Sequence, residues 1–224
     1  MSLIGFSFFT GVRSRPLPAR AAGETIWKSL ADGLSFVFSS QIILSAISLD
    51  LFAVFFGGAV AVLPIFADQV LHTGAKGLGF LRAAPAVGAI LMSVIQAHYP
   101  FFKRAGRNLL ACVFGFSLSV IVFALSRNFL LSLFILFMGG MFDNVSVVIR
   151  NTIIQLYTPD ETRGRVSSVN SIFVGSSNEL GSFESGLTAH LMGLIPSVIF
   201  GGSMALAVVA AVRSLAPKLK TLTM

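Results

Sequence analysis

LLSLFILFMGGMFDNVSVVIRNTIIQLYTPDETRGR, Leu130–Arg165, places an acid and a base inside a long apolar run and then turns charged. At roughly 100° per residue on a helix, Asp143 and Arg150 lie seven apart and share a face, with Asn144 and Asn151 in a parallel row beside them. The result is a polar stripe on an apolar rod. Ionisable groups in hydrocarbon cost about 2.5–3.5 kcal/mol each on insertion scales, so such a stripe turns to a bundle interior or an aqueous cavity. Two roles fit it: a transport path, or charges that neutralise neighbouring helices.

The rest of the chain has the same character. Of 224 residues, 55% are hydrophobic and 11% charged, and the mean hydropathy is +0.87. Soluble domains carry about 25% charged residues, so this is an integral membrane protein. The net charge of +7 does not point to nucleic acid, because the bases sit in short loops between apolar runs rather than in a basic patch. Cys112 is the one cysteine, which excludes a disulfide framework and a paired-cysteine metal site. His72, His98 and His190 share no ligand spacing. No nucleophile elbow, P-loop or dinucleotide turn is present, so neither enzyme nor cofactor is expected.

Six complete spans are predicted: Ile42–Ala67, Leu78–His98, Asn108–Leu125, Phe129–Leu156, Val166–Leu191 and Ile195–Leu215. Residues 1–12 are apolar but about half the length of a crossing, and read as the trailing end of a preceding helix. Residues 13–41 form a linker. Within it, Ile26, Leu30, Leu34 and Phe38 recur every four residues from Glu24 onward, near Trp27 and Lys28, as in a helix lying in the membrane surface or one beginning the next span. Residues 42–215 form the bundle and residues 216–224 a cytoplasmic tail. Asp50 sits in the first third of the first span, whose second half is loosened by Gly57, Gly58 and Pro64.

Loop charge sets the expected orientation. Arg13, Arg15, Arg20, Lys28, Lys103, Arg104, Arg107, Arg163, Arg165, Arg213, Lys218 and Lys220 fall on one side, against Lys76 and Arg127 on the other. Both ends are therefore expected in the cytoplasm. Asp50, Arg82, Asp143, Arg150, Glu179 and Glu184 mark the first, second, fourth and fifth spans. The third and sixth hold no ionisable group in their apolar cores and are expected to face lipid. Two groups of three with a greasy third member form the hydropathy pattern of a three-plus-three inverted repeat. In the fifth span Asn170, Ser177 and Glu184 share a face, small residues allow close helix approach, and Asn178 and Glu184 are candidate cavity residues.

Three stretches carry a family resemblance: SLDLFAVFFGGAVAVLPIFA (Ser48–Ala67), GLGFLRAAPAVGA (Gly77–Ala89) and VSVVIRNTIIQLYTPDETRGRVSSVNSIFVGSSNELGSFESG (Val145–Gly186). Together they resemble the carboxy-terminal half of a bacterial major facilitator superfamily transporter, of the drug-efflux and enterobactin-exporter-like branch. The turn TPDETRGRVSSVN is the most specific element. The resemblance implies an all-α, six-helix half of a proton-driven inner-membrane exporter that works by alternating access on a small-molecule substrate. It implies a cavity lined by the first, second, fourth and fifth spans.

Asp50 and Asp143 are then the candidate proton or cation sites, and Arg82, Arg150, Asn151, Asn178 and Glu184 candidate cavity or gating residues. Asp160, Glu161, Arg163 and Arg165 form the candidate cytoplasmic gate loop, with the arginines pairing to these acids or to helix C-termini. The family has two six-helix halves, so the expected partners are the lipid bilayer and an amino-terminal half, from another chain or by self-association. The alternative expectation is a non-transporting membrane subunit or truncated remnant.

Overall fold

The computed structural model describes residues 26–99, 103–220 and 222. Every regular element there is a helix. The expected helix remnant of residues 1–12 and the linker up to residue 25, with Arg13, Arg15 and Arg20, lie outside the described residues. Nine helices follow in order: α1 (Ile26–Ser39), α2 (Gln41–Phe56), α3 (Ala59–Gln69), α4 (Gly74–His98), α5 (Ala105–Leu125), α6 (Phe129–Tyr157), α7 (Asp160–Met192), α8 (Leu194–Leu215) and the short α9 (Pro217–Lys220).

Local chemistry sets the ends. Ser40 caps α2 by accepting from the Ile43 backbone N–H, and Asn128 caps α6 by accepting from Leu131 N at 3.2 Å. Asp160 and Glu161 occupy the first turn of α7, where carboxylates complement the helix dipole. Gly193, at φ 90°, makes the one-residue reversal between α7 and α8, a conformation that a Cβ disfavours.

Five segments are long and apolar enough to cross a bilayer: Gln41–Gln69 (α2 with α3), α4, α5, α6 and α8. The predicted first span is thus interrupted where its second half was expected to be loosened. It breaks at Gly57–Gly58 into α2 and α3. The fifth predicted span lies within the 33-residue α7, whose serines, asparagines and glutamates keep it outside that apolar set.

α4 packs on α6, α5 on α6 and α8, and α7 on α1, α2 and α8. The interior divides into three clusters. Leu49, Leu109, Val113, Ile149 and Ile153 form one. A second contains Phe66, Leu81, Phe123 and Ile135, with the Phe66 and Phe123 ring centroids 4.4 Å apart. The third joins α1 to the bundle through Val37, Ile43, Ile154, Val166 and Val169. The segment expected as a tail folds back on the bundle. Ala216, Leu219 and Leu222 are buried in the first cluster, and Gly106 N donates to Leu222 O at 3.4 Å.

The third and sixth spans were expected to be the most exposed, yet α4 is the least buried of the five apolar segments. Most of its contacts are made through one side, against α6, so Phe80, Val87, Ile90 and Val94 remain more than half exposed. α5 and α8 instead bury Ser117, Gly201 and Gly202 where they meet their neighbours.

Candidate functional site

Asp50 of α2 and Arg150 of α6 form an ion pair in which the guanidinium Nη1 donates to Asp50 Oδ2. Both residues are 4% exposed. Either charge alone at this depth would be costly, and the pair is neutral as a unit. Among the described residues Arg150 Nε has no partner, so the guanidinium retains an unused donor beside the acid.

Residues around the α2–α3 break hold the Asp50 side of the pair in place. The Ser177 hydroxyl of α7 donates to the Leu51 carbonyl, next in sequence to Asp50. Gly181 lies against the Phe55 backbone, and Gly58 against Ser185 Oγ and the Gly181 carbonyl. Small residues on α7 therefore let it seat directly on the interruption of the first span. This matches the sequence reading that they serve helix approach.

Asp143, one face-repeat before Arg150, occupies a different environment. It lines a cavity of about 440 Å³ together with Arg82 of α4, Asn178 and Ser182 of α7, Gly57 and Gly58 at the break, and Phe116 of α5. Three helices thus bring an acid, a base, an amide and a hydroxyl to one largely apolar wall, the composition of a small-molecule site. Arg82, Asn178 and Ser182 are exposed, so this side of the cavity is open.

The remaining candidates are dispersed. Asn151 is half-buried on α6. Glu184 is half-buried on α7 and is not among the residues that line this cavity. At the α6–α7 turn, Arg163 Nη2 lies 2.6 Å from Asp160 and donates to the Gln155 carbonyl at 3.2 Å. Glu161 is exposed. Arg165 Nη1 reaches Asp32 of α1 at 3.0 Å, a partner that sequence spacing did not suggest because it lies 133 positions away.

A polar network went unread in the sequence. Gln96 Nε2 of α4 donates to Asn144 Oδ1 of α6 at 2.7 Å, and Ser93 Oγ donates to the same oxygen at 3.3 Å. Asn144 was visible in the stripe; the signal for its partners was a serine and a glutamine three apart in an apolar run. Among the described residues no group of three or more His, Cys, Asp or Glu could hold a metal ion.

Long apolar helices, an interrupted first span, a buried acid–base pair and a largely apolar cavity with a few polar groups are the features of a multi-pass membrane protein. Residues 8–223 match the family described as transmembrane secretion effector, and the chain belongs to this branch of the major facilitator superfamily. It is similar to the enterobactin exporter EntS of Escherichia coli O1:K1, 29% identical over 143 residues, which cover 63% of this chain and 34% of that protein. It is also similar to the uncharacterized MFS-type transporter YfmI of Bacillus subtilis strain 168, 28% identical over 197 residues, 79% of this chain and 47% of that one. The EntS of Shigella flexneri is 27% identical over 143 residues. The chain thus spans between about a third and a half of the length of these relatives. No solved structure matches it.

Proposed function

We propose that this chain is one six-helix unit of a proton-coupled exporter of small molecules, working by alternating access in the inner membrane with both ends in the cytoplasm. The observation that carries the reading is the cavity walled by Asp143, Arg82 and Asn178 at the interruption of the first span. α7 supplies the sixth crossing. Its 33 residues extend about 50 Å at 1.5 Å each, enough for a bilayer. It is polar where it meets protein: Asn178 and Ser182 face the cavity, and Ser177, Gly181 and Ser185 are buried.

In this reading the two acids divide the work. Asp50, held by Arg150, is the acid that releases or recovers its partner as the bundle rocks. Asp143, on the cavity wall, loads and releases the transported proton. The exposed positions of Arg82, Asn178 and Ser182 support a second six-helix unit closing that side, because polar groups facing acyl chains are costly. That unit is a second copy or an amino-terminal half. Glu161 and the Arg163–Asp160 pair belong to the cytoplasmic gate turn, and Asn151 and Glu184 to the rims of the path.

The test is flux of protons and substrate in proteoliposomes containing the full chain and an internal pH-sensitive dye. Enterobactin, the compound named for the first relatives, is the first substrate to try. Wild-type chain should move protons when substrate is added, and Asp143→Asn should abolish this with membrane insertion retained. Undiminished pH-coupled transport by Asp143→Asn removes Asp143 from the mechanism. Wild-type vesicles that move neither substrate nor protons favour a non-transporting subunit.

A further inference from the structure

We propose that the groove between α1 and α7 is a binding site for one acyl chain of an anionic phospholipid, with Lys28 receiving the headgroup. This stands on geometry apart from the transport cavity, and holds whether or not the chain transports.

α1 has two apolar faces where a surface helix needs one. The inner face packs on the bundle through Val37, fully buried, with Leu30 and Phe36 beside it. On the outer face Trp27 is 81% and Phe38 64% exposed, with Leu34 between them. The two helices touch at Gly33, where an added Cβ would lie 3.0 Å from the Arg165 carbonyl oxygen. The Asp32–Arg165 pair fastens that contact. Toward the start of α1 they part, leaving a groove of about 320 Å³ lined by Trp27, Leu30 and Leu34 on one side and Val169, Ile172 and Phe173 on the other. The lining is almost wholly apolar, it is open along one side, and it lies in a protein surrounded by acyl chains.

Charge selects the headgroup. Lys28 is exposed beside Trp27, and the first turn of α1 carries no acid. Asp32, the acid of α1, is engaged by Arg165. Tryptophan favours the interfacial depth at which an ammonium meets a phosphate.

Trp27 is the chain's only tryptophan, so its fluorescence reports this groove alone. Full-length chain is reconstituted in phosphatidylcholine vesicles doped with dibrominated phosphatidylglycerol or, separately, dibrominated phosphatidylcholine. One lysine near the surface implies half-quenching at about fivefold lower mole fraction of the anionic lipid. Lys28→Gln should erase the difference between the lipids, and Ala31→Phe, which fills the groove from α1, should weaken quenching by both. Equal quenching by the two lipids in the wild-type chain overturns the headgroup assignment. Absence of quenching by either shows that protein covers the groove, and undiminished quenching in Ala31→Phe places the acyl chain elsewhere; each overturns the proposal.

Discussion

The Arg150 guanidinium donates to the carboxylate of Asp50 from 100 positions away in sequence, and the two side chains are both about 5% exposed. Removing one partner leaves the other charge buried and uncompensated, at a cost of about 3–5 kcal/mol. Asp50→Asn and Arg150→Gln should each lower the detergent melting temperature sharply, and the double variant should recover much of the loss. A double variant whose losses simply add would show that the two side chains do not act as a pair.

Asp143 makes the contrasting case. It lines the cavity and is not a member of the Asp50–Arg150 pair, so Asp143→Asn should leave the melting temperature close to wild type. Size-exclusion profiles and melting curves of Asp143→Asn and Asp50→Asn, compared side by side, check this. Equal destabilisation by the two changes would mean that Asp143 shares the structural duty of Asp50.

The α4–α6 crossing depends on missing side chains. A Cβ on Gly140 would overlap the Pro85 carbonyl, and one on Gly88 the Phe137 carbonyl, whereas Gly175 has open space around it. Gly140→Ala should destabilise by about 1–3 kcal/mol as the helices are pushed apart. Gly175→Ala, in a helix interior, should be neutral or stabilise by about 0.5–1 kcal/mol. Comparable melting temperatures for the two alanine variants would contradict the close crossing.

Asn144 accepts from both Gln96 and Ser93 of α4, and Gln96 Oε1 is already buried without a partner among the described residues. Asn144→Ala should strand the Gln96 amide at a cost of about 1–3 kcal/mol. Gln96→Leu in the same background should relieve part of it. Unfolding of the single and double variants in mixed detergent supplies the comparison.

The Asp32–Arg165 pair is partly solvated, at 44% and 30% side-chain exposure. Pairs of this kind contribute about 0.2–1 kcal/mol. Asp32→Asn should therefore shift the melting temperature far less than Asp50→Asn, although the two acids engage arginines alike. A large loss from Asp32→Asn would mean that α1 is held mainly by this charge pair rather than by Val37 and its apolar neighbours.

The sequence by itself determined that this chain is a bundle of membrane helices, where most of them run, and the family to which it belongs. Runs of apolar residues near bilayer length and charges confined to short turns are one-dimensional signals, and TPDETRGRVSSVN is a local one. The same holds for Gly57, Gly58 and Pro64, which marked the weak point of the first span; whether it would bend or break depended on Gly181, Ser185 and Gly201 of later helices closing on it. Only the tertiary structure decided the partners. Helical spacing put Arg150 on the face of Asp143, but packing of α2 against α6 brought Asp50 to it and left Asp143 at the cavity with Arg82 and Asn178. Arg165 reached back to Asp32, and Leu219 and Leu222 turned from tail to core. Periodicity reports which face of a helix a residue occupies, whereas the identity of the helix against that face is set by how all of them bury their surface at once.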